Sequence, residues 1–174
     1  MARKRGRESV GDMVRSLGLV TLFVAGLLLL LPHHKQQPVK VVDYSADLAT
    51  ARRAAVYPVV APEGLSPRWR ATSSRVQVSD RVGEPVAFHL GFVDPADHYA
   101  ALEESDGDAT AFLDSHAGSK LAHLGTVDVG GQPWEQLRDG KGVLSLVRTT
   151  GRATVLVGGG AGLAELRELA GALR

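Results

Sequence analysis

The most constraining feature of this chain is the run over residues 17–31, which contains no charged residue and is followed by Pro32. Fifteen helical residues rising about 1.5 Å each span roughly 22 Å, against a bilayer core of about 30 Å. Extending the helix toward its N-terminus, with the charge of Arg15 reaching the headgroups, brings it close to the required length. We therefore predict a transmembrane signal anchor over residues 14–32.

A cleaved secretory signal is the competing interpretation, because it also has a basic start and an apolar middle. Cleavage requires small residues soon after the apolar run, whereas the chain continues as Pro-His-His-Lys-Gln-Gln and reaches no such site before Ser45. The chain has no cysteine, which excludes a lipidated anchor, thiol catalysis and a thiolate metal site. These observations favour an anchor that is not cleaved.

The basic residues predict the orientation of the anchor. Only Lys35 and Lys40 follow it closely, whereas Arg3, Lys4, Arg5, Arg7 and Arg15 precede its apolar run. Positive charge stays on the cytoplasmic side, so the N-terminus is inside and the rest of the chain lies outside the cytoplasmic membrane. The predicted organisation is a basic cytoplasmic tail at 1–13, the anchor at 14–32, a linker with a short helix at 33–55 and an extracytoplasmic domain at 56–174.

Charge also bears on the partners of the chain. After Arg15 the acidic residues slightly outnumber the basic ones, so the overall net charge of +1 comes from the tail. This argues against nucleic-acid binding. The predicted partner is the lipid bilayer, through the N-terminal helix, and another envelope protein is a candidate partner. No metal or other cofactor is predicted.

Periodicity predicts an α+β fold for the domain. Val86, Phe88, Leu90 and Phe92 alternate with other residues as in a half-buried strand, and residues 98–105 are interpreted as its return strand, although their composition also suits a helix. Short runs separated by glycine-rich turns predict four further strands over 126–157. Helices are predicted over 43–55, 109–117 and 163–173. The expected architecture is an antiparallel β-meander with helices packed on one face, preceded by a single transmembrane helix.

Several segments resemble a known family. They include Tyr-Pro-Val-Val-Ala-Pro at 57–62, Gly-Gln-Pro-Trp at 131–134 and Thr-Val-Leu-Val-Gly at 154–158. The chain resembles an uncharacterised actinobacterial family of single-pass membrane proteins catalogued as a domain of unknown function (DUF4245-like). The resemblance implies location and architecture but no catalytic residues. The fold is also similar to the sandwich of photosystem-associated and small-GTPase-release proteins, which implies a binding role.

The candidate sites are weak when taken from sequence alone. Arg68, Trp69, Arg70 and Trp134 are the candidate partner or ligand surface, although the alternation also suits a Trp69 that points into the core. Asp94, Asp97, His98, His116 and His123 are the residues for a metal or acid–base site, but their spacing matches no ligand motif. The glycine-rich segment 158–162 lacks a phosphate-binding pattern, and no serine lies in a nucleophile motif.

The sequence therefore predicts a binding or interaction module held at the outer face of the membrane. Two alternatives remain open: an envelope enzyme with a His/Asp site, and a carrier of a small apolar ligand.

Overall fold

The computed structural model describes residues 8–30, 40–79, 81 and 84–174. It divides into two compact units, residues 1–38 and residues 39–174. Most of the predicted tail (1–7), the end of the predicted anchor (31–32) and the first part of the predicted linker (33–39) lie outside the described residues. The described residues form four helices and seven strands: α1 Glu8–Leu30, α2 Ser45–Ala54, β1 Arg70–Gln77, β2 Ala87–Val93, β3 Tyr99–Ser105, α3 Ala109–His116, β4 Ala122–Val129, β5 Gln132–Arg138, β6 Leu144–Thr150, β7 Ala153–Gly159 and α4 Leu163–Gly171.

The first unit contains α1, which includes most of the predicted anchor and begins six residues before it. The large apolar side chains described in α1 are exposed, with Leu22 at 75% and Phe23 at 70% of full exposure. Among the described residues, no helix combines the length and apolar character needed to cross a membrane.

The second unit is built on one seven-stranded sheet with the strand order β1-β2-β3-β7-β6-β5-β4. Every neighbouring pair is antiparallel. The prediction of an α+β fold with an antiparallel sheet is confirmed. The sheet is not one continuous meander, however: it consists of two meanders, β1–β3 and β4–β7, which meet where β3 pairs with β7. The chain leaves β3 at the middle of the sheet and resumes at the far edge, so the two halves are joined by α3.

The helices lie on both faces of the sheet, which corrects the prediction that they share one face. One cluster of buried residues includes Ala51 of α2 and Leu166 and Leu169 of α4. A smaller cluster contains Phe112 of α3 together with Leu137, Val147 and Leu156 from β5, β6 and β7. Successive strand residues point to opposite faces. Val147 and Leu156 each adjoin a residue of the first cluster, and Leu137 is three positions from its Trp134, so all three side chains point away from that cluster. The helix α3 therefore covers the opposite face.

Most of the predicted local structure is confirmed. Residues 98–105, which suited either helix or strand, contribute β3 and pair with β2 in full register. Asp108 caps α3 through its carboxylate, which accepts a hydrogen bond from the Ala111 amide at 2.8 Å. The proline-rich segment after α2 is extended, as expected, and the amides and carbonyls of Ala61 and Arg174 exchange hydrogen bonds of 3.1 and 3.0 Å. The C-terminus is thereby tied to this segment.

Candidate functional site

The two tryptophans proposed for a partner surface are buried. Trp69 is 7% exposed and packs edge-on against Phe92, and its indole Nε1 donates a hydrogen bond to the Glu168 carboxylate of α4 at 3.0 Å. Trp134 is 1% exposed, with the Arg148 guanidinium 4.9 Å from its ring centroid. Both rings belong to the same buried cluster as residues of α2 and α4, so both face that side of the sheet. Neither ring can therefore meet a partner without unfolding of the core.

Arg68 and Arg70 instead gather on the turn after β2. Arg68 donates a hydrogen bond to the Pro95 carbonyl at 2.8 Å, and Arg70 pairs with the carboxylate of Asp97. Asp97 adopts a left-handed backbone conformation with φ of 65°. The alternative interpretation, in which Trp69 enters the core between surface arginines, describes this segment. A partner contact through Arg68 and Arg70 stays a prediction.

The predicted His/Asp residues do not converge as a set, although Nδ1 of His98 lies 3.4 Å from Oδ2 of Asp94. Asp94 is fully buried, and its Oδ1 accepts hydrogen bonds from the amides of Ala96 and His98 at 2.7 and 2.8 Å, so it organises the turn. His116 lies at the end of α3, whereas His123 lies at the far edge of the sheet, 3.8 Å from the Glu135 carboxylate. Within the part of the chain that the structure describes, no group of three or more potential ligands is placed to hold a metal ion.

A different polar cluster lies on the α3 face of β1, β2 and β3, with one residue from each strand. The Ser73 hydroxyl is 2.9 Å from Nε2 of His89, and Nδ1 of His89 is 2.6 Å from Oε1 of Glu103. Nδ1 of His116 is 3.6 Å from the other oxygen of that carboxylate. The side chains of His89 and Glu103 are only 13% and 14% exposed. The result is a Ser–His–Glu chain of hydrogen bonds with a second imidazole at its acidic end.

The strand register explains this arrangement. His89 stands opposite Arg75 on β1 and opposite Glu103 on β3, while Ser73 stands opposite Gly91 and so lies diagonally from His89. A carboxylate can only accept hydrogen bonds, so we assign the imidazole proton to Nδ1, which leaves Nε2 to accept the proton of the Ser73 hydroxyl. This is the tautomer that a general base requires.

Gly91 makes room for the cluster. A methyl group at this position would collide with the Ser73 hydroxyl and would lie 2.7 Å from the hydroxyl of Tyr99. Glycine within a strand commonly marks such a close approach. The hydroxyls of Tyr99 and Ser73 thus lie near the same point beside Gly91. Burial is the main cause that raises the pKa of Tyr99 above its ordinary value, against the opposing effect of the Ser73 hydroxyl. The phenol therefore stays protonated at neutral pH and remains a hydrogen-bond donor beside Ser73.

Sequence reasoning missed this cluster because its members are 14 and 16 residues apart and belong to no motif. The single available signal was the position of His89 between the apolar Phe88 and Leu90, which places it on the other face of β2. Its partners depend on the register with β1 and β3, and that register is not visible in the alternation of one strand.

A second unforeseen group, Glu104, points to the opposite face of β3. Its side chain is fully buried, Oε2 accepts a hydrogen bond from the Val60 amide at 3.2 Å, and Oε1 has no hydrogen-bond partner among the described residues. Burial raises the pKa of this carboxyl to about 8, against the weaker opposing effects of the Val60 amide and nearby arginines. Adjacent glutamates of one strand thus occupy contrasting environments.

Grooves of different sizes lie on the part of the domain that the structure describes. One of about 200 Å³ extends from the polar cluster along β3, β7 and β6 and includes Tyr99, Glu103, His116 and Asp139 in its wall. Another of about 630 Å³ lies between α3 and the ends of β4–β7, and its wall includes Gln132, Glu135, Arg148 and four threonines. These walls combine polar and apolar side chains, and the carrier hypothesis stays a prediction.

Comparison with known proteins identifies the family. No curated protein and no solved structure matches the chain, so the expected likeness to the photosystem-associated and GTPase-release sandwiches stays a prediction. The family described as "Protein of unknown function (DUF4245)" matches residues 5–173. The match confirms the resemblance to a domain of unknown function and covers nearly the whole sequence, and the chain therefore belongs to this family.

Proposed function

We propose that the chain is a single-pass membrane protein whose α+β domain acts as a binding module on the outer side of the cytoplasmic membrane. The observation that carries this proposal is the exposure of apolar side chains in α1, including Leu17, Leu19 and Leu22. A helix that exposes such residues on several sides needs an apolar environment. The described part of the helix does not by itself have the length and apolar character of a membrane span. The proposal therefore takes the segment from the whole uncharged run over 17–31 of the sequence, and the orientation from the basic residues before it.

The binding role is supported by the incomplete cover of the α3 face. Strand residues of β5, β6 and β7 contact α3 in the smaller apolar cluster, whereas β1, β2 and β3 contribute no residue to that cluster. On those three strands this face carries Arg75, which is exposed, and Tyr99, which is 45% exposed, beside the polar groove. We name this surface, made of Ser73, Arg75, His89, Tyr99 and Glu103, the open face. Arginine and tyrosine are enriched where proteins bind one another.

The topology can be tested with cysteines, because the chain has none. We expect Ser119→Cys, at an exposed position after α3, to react in intact cells with a maleimide that cannot cross membranes. Ala2→Cys serves as the matched variant and should react after lysis only. Labelling of Ser119→Cys only after lysis would reverse the orientation. A mature chain that has lost the Ala2→Cys label and appears in the medium would establish the cleaved signal instead.

The binding role can be tested by crosslinking in cells. A photoreactive amino acid in place of Arg75 should yield one major adduct, because this position lies on the open face. The same amino acid in place of the exposed Glu63 should yield none. Equal adduct patterns from the two positions would contradict a binding role for the open face.

A further inference from the structure

The geometry points to a second activity on the open face: we propose that Ser73, His89 and Glu103 form a nucleophilic catalytic site that cleaves esters of small acyl groups. This goes beyond binding, since it requires a covalent step at Ser73. It does not depend on the membrane anchor. Its failure would leave the crosslinking result unaffected, so the two proposals are tested separately.

The three side chains meet the geometric requirement for nucleophilic catalysis. A nucleophile and its base must lie within hydrogen-bond reach, and a third group must orient the base. The distances of 2.9 Å from the Ser73 hydroxyl to Nε2 and 2.6 Å from Nδ1 to Glu103 satisfy both conditions. The low exposure of His89 and Glu103 reduces competition from water for these hydrogen bonds. Such an arrangement is recognised by geometry and not by sequence order.

The reaction balances with water as the only co-substrate. Ser73 Oγ attacks the ester carbonyl carbon while His89 Nε2 takes the hydroxyl proton, and the carbonyl electron pair moves onto oxygen. The carbon–oxygen bond to the alcohol then breaks, and the alcohol leaves with the proton from His89. Water attacks the resulting acyl-serine, gives its proton to His89, and releases the carboxylic acid as Ser73 recovers its proton. No atom is oxidised or reduced.

Neighbouring groups of the open face fit this chemistry. The Tyr99 hydroxyl lies near the Ser73 hydroxyl beside Gly91, so it places a donor close to the nucleophile for the negative oxygen of the tetrahedral intermediate. Glu103 holds the His89 proton at Nδ1 and stabilises the imidazolium that forms. His116 faces the second oxygen of Glu103. The adjacent groove of about 200 Å³ is small and partly polar, which favours a short acyl group over a long lipid chain.

The test uses the full-length chain purified in a mild detergent and a fluorophosphonate probe. Attack by Ser73 forms a serine–phosphorus bond and expels fluoride, and mass spectrometry locates the adduct. We expect one adduct per chain on Ser73, no adduct in Ser73→Ala, and a labelling rate about 100-fold or more lower in His89→Ala. The matched control is Ser74→Ala on the same strand, which faces away and hydrogen-bonds Asp47; it should label normally.

A second variant tests the proposal without removing any of the three side chains. Gly91→Ala retains all three residues but pushes the Ser73 hydroxyl away from His89, so it should slow labelling at least 10-fold. Hydrolysis of p-nitrophenyl acetate should show a burst of one acyl group per chain that disappears in Ser73→Ala. Absence of an adduct on Ser73, or labelling at an unchanged rate in a folded His89→Ala variant, would overturn the proposal.

Discussion

The two faces of the sheet differ in what covers them. On one face, α2, α4 and the segment 57–61 enclose a large apolar cluster that includes Phe88, Leu90 and Trp134. On the other face, α3 covers a small cluster over β5–β7, and the strands β1–β3 carry polar groups instead. Alternate residues of β2 therefore have different surroundings: Phe88, Leu90 and Phe92 pack in the apolar cluster, whereas His89 belongs to the polar open face.

The comparison is sharpest at Glu103 and Glu104, neighbours in β3. Glu103 faces His89 and His116 on the open face, within hydrogen-bond reach of one imidazole. Glu104 faces the apolar cluster, where burial raises its pKa to about 8 and one oxygen has no hydrogen-bond partner among the described residues. The same residue type in the same strand is thus a site component on one face and, on the other, a buried carboxyl that holds its proton at neutral pH.

The largest effect is expected from adjacent truncations in β2. Leu90→Ala should lower the free energy of unfolding by about 2–5 kcal/mol, because Leu90 is fully buried and the substitution leaves a cavity. His89→Ala, one residue away, should cost only about 1–2 kcal/mol for its hydrogen bonds. Denaturant titration of both variants measures the difference. Equal losses would mean that the open face contributes as much stability as the core face.

The pH dependence of stability tests the environment of Glu104. Its folded pKa of about 8 lies above the ordinary value of 4.5, so the folded protein holds this proton more tightly than the unfolded chain does. Its contribution to stability is therefore complete below pH 4.5 and is lost as the pH rises to about 8. Between about pH 5 and about pH 9 we expect a loss of a few kcal/mol.

The Glu104→Gln variant isolates this contribution in denaturant titrations at the two pH values. It should lose distinctly less stability on alkalinisation than the wild type, because its amide does not titrate. Glu63→Gln, at an exposed position, is the control and should retain the wild-type dependence. The assignment fails if Glu104→Gln and the wild type lose the same stability.

A smaller effect should follow from loosening α3, the helix that contacts the second cluster. Asp108→Ala removes the carboxylate that caps the helix and should cost about 1 kcal/mol. Ser115→Ala, at an exposed position of the same helix, should change stability by less than about 0.5 kcal/mol. Thermal unfolding at matched pH distinguishes the two. If Asp108→Ala leaves the stability of the protein unchanged, packing alone holds α3 in place.

The smallest effect is expected at the surface pair of Arg70 and Asp97. Their side chains are 32% and 59% exposed, so the coupling energy from a double-mutant cycle should be below about 1 kcal/mol and should shrink with added salt. If Arg68 and Arg70 nevertheless bind a partner, Arg70→Ala should weaken that binding while leaving stability nearly unchanged. A coupling of several kcal/mol would give the pair a structural role.

Local structure was largely predictable because it depends on near neighbours. The alternation of Phe88, Leu90 and Phe92, the cap at Asp108 and the glycine-rich turns after β4 and β5 each specify an element within a few residues. The division of the helices between faces was missed, although the consecutive apolar residues Val155, Leu156 and Val157 in β7 indicate a strand covered on both sides. A strand covered by a helix on one face and by a binding partner on the other has the same run of apolar residues. The run therefore did not show where the helices lie.

The candidate site was not predictable because its parts come together only through strand register. The basic-aromatic pattern at 68–70 was interpreted as a binding surface. The tryptophan ring is buried instead, because burying its large apolar area is more favourable than exposing it to water. Conversely, Ser73 and Glu103 looked like ordinary polar residues of two half-exposed strands. Their significance arises from the diagonal approach of Ser73 to His89 across a glycine, which no single strand encodes.

By itself the sequence determined the apolar run with its charge asymmetry, the α+β class, the positions of nearly all strands and helices, and the family. These follow from composition and short-range periodicity, which act within a few residues. Only the tertiary structure decided the junction of the two meanders, the faces covered by the helices, and the meeting of Ser73, His89 and Glu103. Those features depend on contacts between residues distant in the chain, whose register is selected by packing of the whole domain.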